Sequence, residues 1–241
     1  MIELKFVAKL YPNNGLKLNI NELIIPKGEI VAIVGANGAG KTTLLKAMMG
    51  LGNPSYNYGH ILVDGKPVEK QYEKLAFITE EGSYFPSFTP KQYAQFLADF
   101  FPKFDYRHFT KLLAYFKLDE NQKIKTMSTG EKSKLEISAG FAKRAEYTIM
   151  DEPFNGKDMF TRRDFLKLMV SQMREDDSII MTTHIIDEIE NVIDRAIILH
   201  KGLIKADVTM DELREEGRSL VELMATVSKY KPADVQQFLT D

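Results

Sequence analysis

The chain has 241 residues, 44% hydrophobic and 27% charged, with a formal net charge of −2 and no cysteine. That composition is of a folded globular protein, long enough for one domain with a subdomain, and argues against intrinsic disorder. Near-neutral, interleaved charge gives no broad positive field for nucleic acid, the lack of cysteine excludes disulfides and thiolate chemistry, and no apolar run reaches the roughly 18 residues that span a bilayer.

Met1-Ile2-Glu3-Leu4-Lys5 is unlike a signal peptide, so the expectation is a cytoplasmic protein that would meet a membrane only through a partner. From Ile2 to Leu10 the apolar residues fall on even positions (Ile2, Leu4, Phe6, Ala8, Leu10), the period of a half-buried strand. Leu16, Leu18 and Ile20 repeat it after the turn residues Pro12-Asn13-Asn14-Gly15, and His60 to Asp64 ends at an Asp64-Gly65 turn signal. These three read as an antiparallel sheet. Ile30 to Val34 is instead continuously apolar, as in a strand covered on both faces of a parallel sheet. Similar runs recur at Leu75 to Thr79, Tyr147 to Asp151, Ile179 to Thr183 and Ala196 to His200, with helical patterns between them. The alternation predicts a doubly wound α/β core. Pro90 to Lys117 carries aromatics at helical spacing and no strand pattern, and reads as an inserted helical subdomain. The tail after Met210 is a short charged helical pattern, and His60, His108, His184 and His200 are too scattered to suggest a metal site.

Gly35-Ala36-Asn37-Gly38-Ala39-Gly40-Lys41-Thr42 fits the Gly-x-x-x-x-Gly-Lys-Ser/Thr pattern directly after the buried strand and before a helical run through Leu44, Leu45, Met48 and Met49. Glycines let backbone N–H groups surround phosphate oxygens, the helix start adds partial positive charge, and Lys41 adds a full one. The loop through Thr43 is the candidate nucleotide site, with the Thr42 hydroxyl on Mg²⁺. A second strand, Tyr147 to Met150, ends in Asp151 and Glu152 at what should be the ligand-binding edge of the sheet. Asp151 can hold Mg²⁺ through water, and Glu152 can polarise a water aimed at the γ-phosphate.

With these residues in place the sequence resembles the ATP-binding cassette (ABC) family, from Met1 to about Asp207. Met127-Ser128-Thr129-Gly130-Glu131, upstream of Asp151, is similar to the family's Leu-Ser-Gly-Gly-Gln signature. Asp151 to Asp158 resembles its Walker B and D-loop run, and Thr182-Thr183-His184 its switch histidine. The resemblance implies a P-loop NTPase core of mostly parallel sheet with an antiparallel β subdomain and an inserted helical subdomain. The cassette would occupy residues 1–208, with the helical subdomain at about 82–146 and a short tail at 209–241. It further implies ATP and Mg²⁺ as ligands, with Glu152 as base, His184 on the γ-phosphate, Tyr11 stacked on adenine, and Ser128 and Gly130 facing a second cassette's ATP. The implied partners are a membrane-spanning subunit on a separate chain, which would hold this one at the inner face of the membrane, and a second ABC subunit.

Four positions depart from the family pattern. Glu80 stands where a glutamine that senses nucleotide and metal is usual, Thr129 and Glu131 replace glycine and glutamine in the signature, and Lys157 replaces an apolar D-loop residue. Ser128 and Glu131 also fit a helix capping box. Pro102-Lys103-Phe104-Asp105 together with the signature looks most like the bacterial exporter cassettes. Two other readings stand beside the transporter: a soluble cassette ATPase acting on nucleic acid or ribosomes, and a regulatory nucleotide-binding module with little turnover. No Asn-Lys-x-Asp guanine-reading motif occurs, which disfavours a GTPase.

Overall fold

The computed structural model describes residues 1–11, 15–52, 59–79, 82–154 and 159–228, without the side chains of 11, 15–17, 159–161 and 228. Two sheets share the chain. The smaller is antiparallel, in the order β2-β1-β4-β5, from β1 (Ile2–Tyr11), β2 (Gly15–Ile25), β4 (His60–Val63) and the short β5 (Lys66–Pro67). The larger runs β10-β9-β3-β8-β7-β6, from β3 (Ile30–Val34), β6 (Leu75–Ile78), β7 (Tyr147–Met150), β8 (Ser178–Thr183), β9 (Arg195–His200) and β10 (Leu203–Thr209). Its inner strands are parallel and β10 is antiparallel to β9. Every residue of β3, β7 and β8 is buried, as their unbroken apolar or threonine-rich runs require.

The first strand differs from its sequence pattern. Ile2 and Leu4 are buried, but Phe6 is 62% exposed and Leu10 59% exposed, while Val7 is fully buried. Phe6 has φ 48, so the backbone kinks there and moves the inward phase from even to odd positions. Opposite it in β2 the phase changes too, from Leu18 and Ile20 to Leu23 and Ile25.

A buried cluster joins the antiparallel sheet to one face of the main sheet, through Leu44, Leu45 and Met48 of α1 (Lys41–Met48). The opposite face packs on α5 (Met159–Gln172), α6 (Ile186–Ile189), α7 (Met210–Glu215) and α8 (Leu220–Ser228). The region after Met210 is therefore more than a charged tail: Met210, Leu213, Leu220 and Leu223 are buried in the same cluster as Ile30 and Met150. A third cluster belongs to α2 (Pro90–Phe100), α3 (Tyr106–Tyr115) and α4 (Thr129–Ala142). The stretch expected to be helical from Pro90 is thus two helices. Thr89 and Gln92 cap the first reciprocally with Pro90 at its opening position, and Asp105 accepts from His108 N–H to start the second. Among the described residues no helix is long and apolar enough to cross a membrane.

Candidate functional site

The site forms where β3, β7 and β8 end together. Between β3 and α1, residues 35–40 make a turn closed by Ala39 N–H on the Ala36 carbonyl at 3.1 Å. Glycine is obligatory at 35, where a Cβ would run into the Leu199 carbonyl oxygen of β9. Gly40 takes a left-handed conformation, φ 106, at the start of α1. The turn is backed from far along the chain, since Gly202 donates its N–H to the Ala39 carbonyl and accepts Asn19 N–H from β2, both at 2.8 Å. Ala36, Asn37, Gly38 and Thr42 are exposed, Thr43 is half-buried, and Ala39 is buried as the turn's anchor.

Lys41 is only 7% exposed. Its Nζ donates to the Gly35 carbonyl at 3.0 Å and lies 3.3 Å from Glu152 Oε1. The other carboxylate oxygen, Oε2, is 2.9 Å from His184 Nδ1. A carboxylate accepts, so Nδ1 carries the proton and a neutral His184 ring keeps its lone pair on Nε2. One carboxylate therefore bridges the lysine of the phosphate loop and a histidine at the end of β8.

The sequence pointed to Thr182 only as part of the run leading to His184, with no role of its own, yet it organises this edge. Fully buried at the end of β8, its hydroxyl donates to Asp151 Oδ1 at 2.7 Å and accepts Glu152 N–H at 2.9 Å. Glu152 has φ 46, a left-handed backbone rare for a residue with a side chain, and the bond from its N–H helps hold it. Asp151 N–H in turn donates to the Ile78 carbonyl of β6 at 3.0 Å. The only signal in the sequence was a threonine pair before His184, which reads equally well as strand filler.

Ser128 and Gly130 lie elsewhere, at the start of α4. Ser128 caps that helix: its Oγ accepts Glu131 N–H at 3.2 Å, while Glu131 Oε2 accepts the Ser128 N–H at 2.7 Å and its hydroxyl at 2.8 Å. The capping box read from the sequence is thus formed, and these bonds to its N-cap hold the Glu131 carboxyl below the usual range. Among the described residues no hydrogen bond joins Ser128 to Lys41, Asp151, Glu152 or His184. A Cβ on Gly130 would meet nothing within 4 Å, so no packing among the described residues calls for glycine there. Glu80 and Lys157, and the side chain of Tyr11, lie outside the described residues.

The arrangement is suited to a polyphosphate. Backbone N–H groups, a helix start and a buried lysine converge beside two carboxylates and a histidine. No group of three or more His, Cys, Asp or Glu capable of caging a metal occurs among the described residues. What is present, the Thr42 hydroxyl and the Asp151 carboxylate, suits Mg²⁺, which takes one or two protein ligands and fills the rest with phosphate oxygens and water.

Comparison with known proteins gives a consistent picture. The family model described as ABC transporter matches residues 18–155. ABC transporter ATP-binding protein YtrB of Bacillus subtilis (strain 168) is 33% identical over 220 residues, 90% of this chain and 74% of that protein. Bacitracin transport ATP-binding protein BcrA of Enterococcus faecalis is 28% identical over 229 residues, 92% of this chain and 73% of that protein. A solved structure of the ATP binding subunit of an ABC transporter matches with TM-score 0.83 and 28% identity, covering 95% of this chain and 99% of that one.

Proposed function

This chain belongs to the ABC transporter family of ATP-binding proteins, and from that premise we infer how its residues divide the work. It is an ATP-binding and ATP-hydrolysing subunit that couples hydrolysis to transport through a membrane-spanning subunit on another chain. The observation that carries our reading of the site is Glu152 held between Lys41 and His184.

The loop from Gly35 to Thr43 wraps the phosphates of ATP, and Lys41 turns from Glu152 to the phosphate oxygens. Freed of the lysine, Glu152 orients a water and takes its proton as that water attacks the γ-phosphate in line. Thr182 fixes the direction of the Glu152 backbone, and His184, one hydrogen bond away, contacts the γ-phosphate. Thr42 and Asp151 would hold Mg²⁺, which when bound neutralises charge on the β- and γ-phosphates. Tyr11 stacks on adenine, and Glu80 stands at the usual nucleotide-sensing position. Ser128 and Gly130 face the ATP of a second cassette, and the unexplained glycine at 130 supports this, since a close approach from another chain would require it. Two cassettes closing over ATP and opening after hydrolysis would drive the membrane partner from the cytoplasmic face. An exporter fits the relative SkfE of Bacillus subtilis (strain 168), named for export of the SkfA peptide.

Gentle detergent extraction of the tagged chain tests this reading. A multi-span membrane protein recovered in stoichiometric amount, with ATPase activity in the complex, is the expected result. Recovery with ribosomes or DNA and no membrane protein would overturn it in favour of a soluble cassette ATPase.

A further inference from the structure

One face of α4 carries a polar group that the hydrolytic scheme does not use. Glu136 is 3% exposed, and its Oε1 accepts Ser83 N–H at 2.9 Å and the Tyr93 hydroxyl at 3.2 Å. Oε2 accepts the Ser83 hydroxyl at 3.2 Å, and that hydroxyl also meets Tyr93 Oη at 2.7 Å. Burial pushes the Glu136 carboxyl up, against the bonds from Ser83 and Tyr93 and the charge of Lys143. A buried carboxylate is costly unless its oxygens are satisfied, so these bonds bind the three parts firmly together.

One turn further along the same face, Gly140 lies directly on Ile78, where a Cβ would collide with the isoleucine side chain. Beyond it Lys143, also buried, sits with its ammonium 4.6 Å from the centre of the Phe101 ring. Residues 136, 140 and 143 follow helical spacing and form one docked stripe. Ile78 is the residue whose carbonyl accepts Asp151 N–H, and Ser83 lies just beyond the same strand. A short path therefore runs from the Asp151 backbone through Ile78 to Gly140 and Glu136, and along one rigid helix to Ser128 at its start.

We propose that Glu136 is a positioning residue for ATP hydrolysis: by clamping Ser83 and Tyr93 to α4 it fixes the register of that helix on β6, and so the placement of Ser128 relative to Asp151 and Glu152. The proposal rests on the reading of Ser128 as a residue that meets a second cassette's ATP. Loss of the clamp lets α4 slide on Ile78 and misplaces Ser128 in the closed dimer, while the phosphate loop, on the other face of the sheet edge, keeps its own bonds. Turnover should fall without loss of nucleotide binding.

The test uses the full chain, with steady-state ATPase expressed per site that binds a fluorescent ATP analogue, so that unfolded chains do not count. Glu136→Ala is expected to lower kcat about tenfold with KM within about twofold, since a small misplacement remote from the chemistry can cost up to about a hundredfold. Glu136→Gln keeps an oxygen to accept from Ser83 and Tyr93, and should restore kcat to within about threefold of the parent. A Glu136→Ala chain with unchanged kcat per site, whatever its melting temperature, is merely a packing variant and overturns the proposal, as does a KM that rises in step with the loss. If Glu136→Ala does not fold, Tyr93→Phe decides: a lowered kcat at constant KM supports the clamp and an unchanged kcat overturns it. Ser128→Ala separates the two layers of the argument. If it leaves kcat intact, the reading of Ser128 fails; if it abolishes turnover while the Glu136 variants keep theirs, the clamp alone fails.

Discussion

At the scale of single residues, Glu152 is the hinge of the chemistry because its two oxygens touch two other candidates, Lys41 and His184. Glu152→Gln keeps the size of the side chain and loses the base. It should retain ATP binding and lose roughly 10²-fold or more of turnover, measured by equilibrium binding and steady-state ATPase. Lys41→Ala removes the buried cation of the loop, and the same titration should find nucleotide binding abolished; an unchanged affinity would refute the assignment of the loop. Thr182→Val is the sharper trial of the structure. It preserves shape but leaves Glu152 N–H without an acceptor and Asp151 without a donor, at about 1–3 kcal/mol for the unsatisfied group, visible as a lower melting temperature together with a lower kcat. The phosphate loop, Asp151, Glu152 and His184 were legible because each combines an unusual residue type with a position at the end of a recognisable strand. Thr182 was not, because threonine in a strand is ordinary and only the neighbouring strand β7, with the residues that follow it, reveals what its hydroxyl meets. The left-handed backbone of Glu152 was equally invisible, being imposed by the meeting of three strand ends.

Between elements, the close approach of α4 to β6 should be the least forgiving contact outside the site. Gly140→Ala puts a methyl group against buried Ile78, and overpacking of that kind costs about 1–3 kcal/mol. Trimming the partner, as in Gly140→Ala with Ile78→Val, should recover part of the loss in chemical denaturation; strictly additive losses would mean that the two side chains do not meet. The strands of the main sheet could be read from sequence wherever burial on both faces left an uninterrupted apolar run, as at β3, β7, β8 and β9. The edge strand β10 was missed because exposed charged residues, Lys205 and Asp207, break any such run. The kink at Phe6 defeated a clean alternation, since periodicity assumes an unbroken pleat. In the tail the charges were conspicuous, while the pairs Met210/Leu213 and Leu220/Leu223, each three residues apart, gave the buried face.

Over the whole molecule, one acidic residue ties the antiparallel sheet to the core. Asp64, at the turn after β4, accepts from Lys74 at 2.5 Å, from the amino terminus at 2.7 Å and from the Tyr147 hydroxyl at 2.7 Å. Burial pushes its carboxyl up, but these three donors outweigh burial and hold it well below the usual carboxylate range. A depressed native pKa means stability that is present above the unfolded value and lost as pH falls. Melting temperature should therefore drop below about pH 4, and Asp64→Asn should melt lower at neutral pH with a shallower acid limb. A limb just as steep in the variant would assign the acid sensitivity elsewhere. Gly202 makes another long-range tie, holding the Ala39 carbonyl on one side and Asn19 of β2 on the other. During synthesis, the first 43 residues contain the whole phosphate loop, yet the backbone that braces it emerges only with β9 and the turn after it, later even than Glu152 and His184. A ribosome stalled before that turn should carry a nascent chain that displays the nucleotide motif and cannot retain nucleotide, so that competence arrives late in translation and all at once.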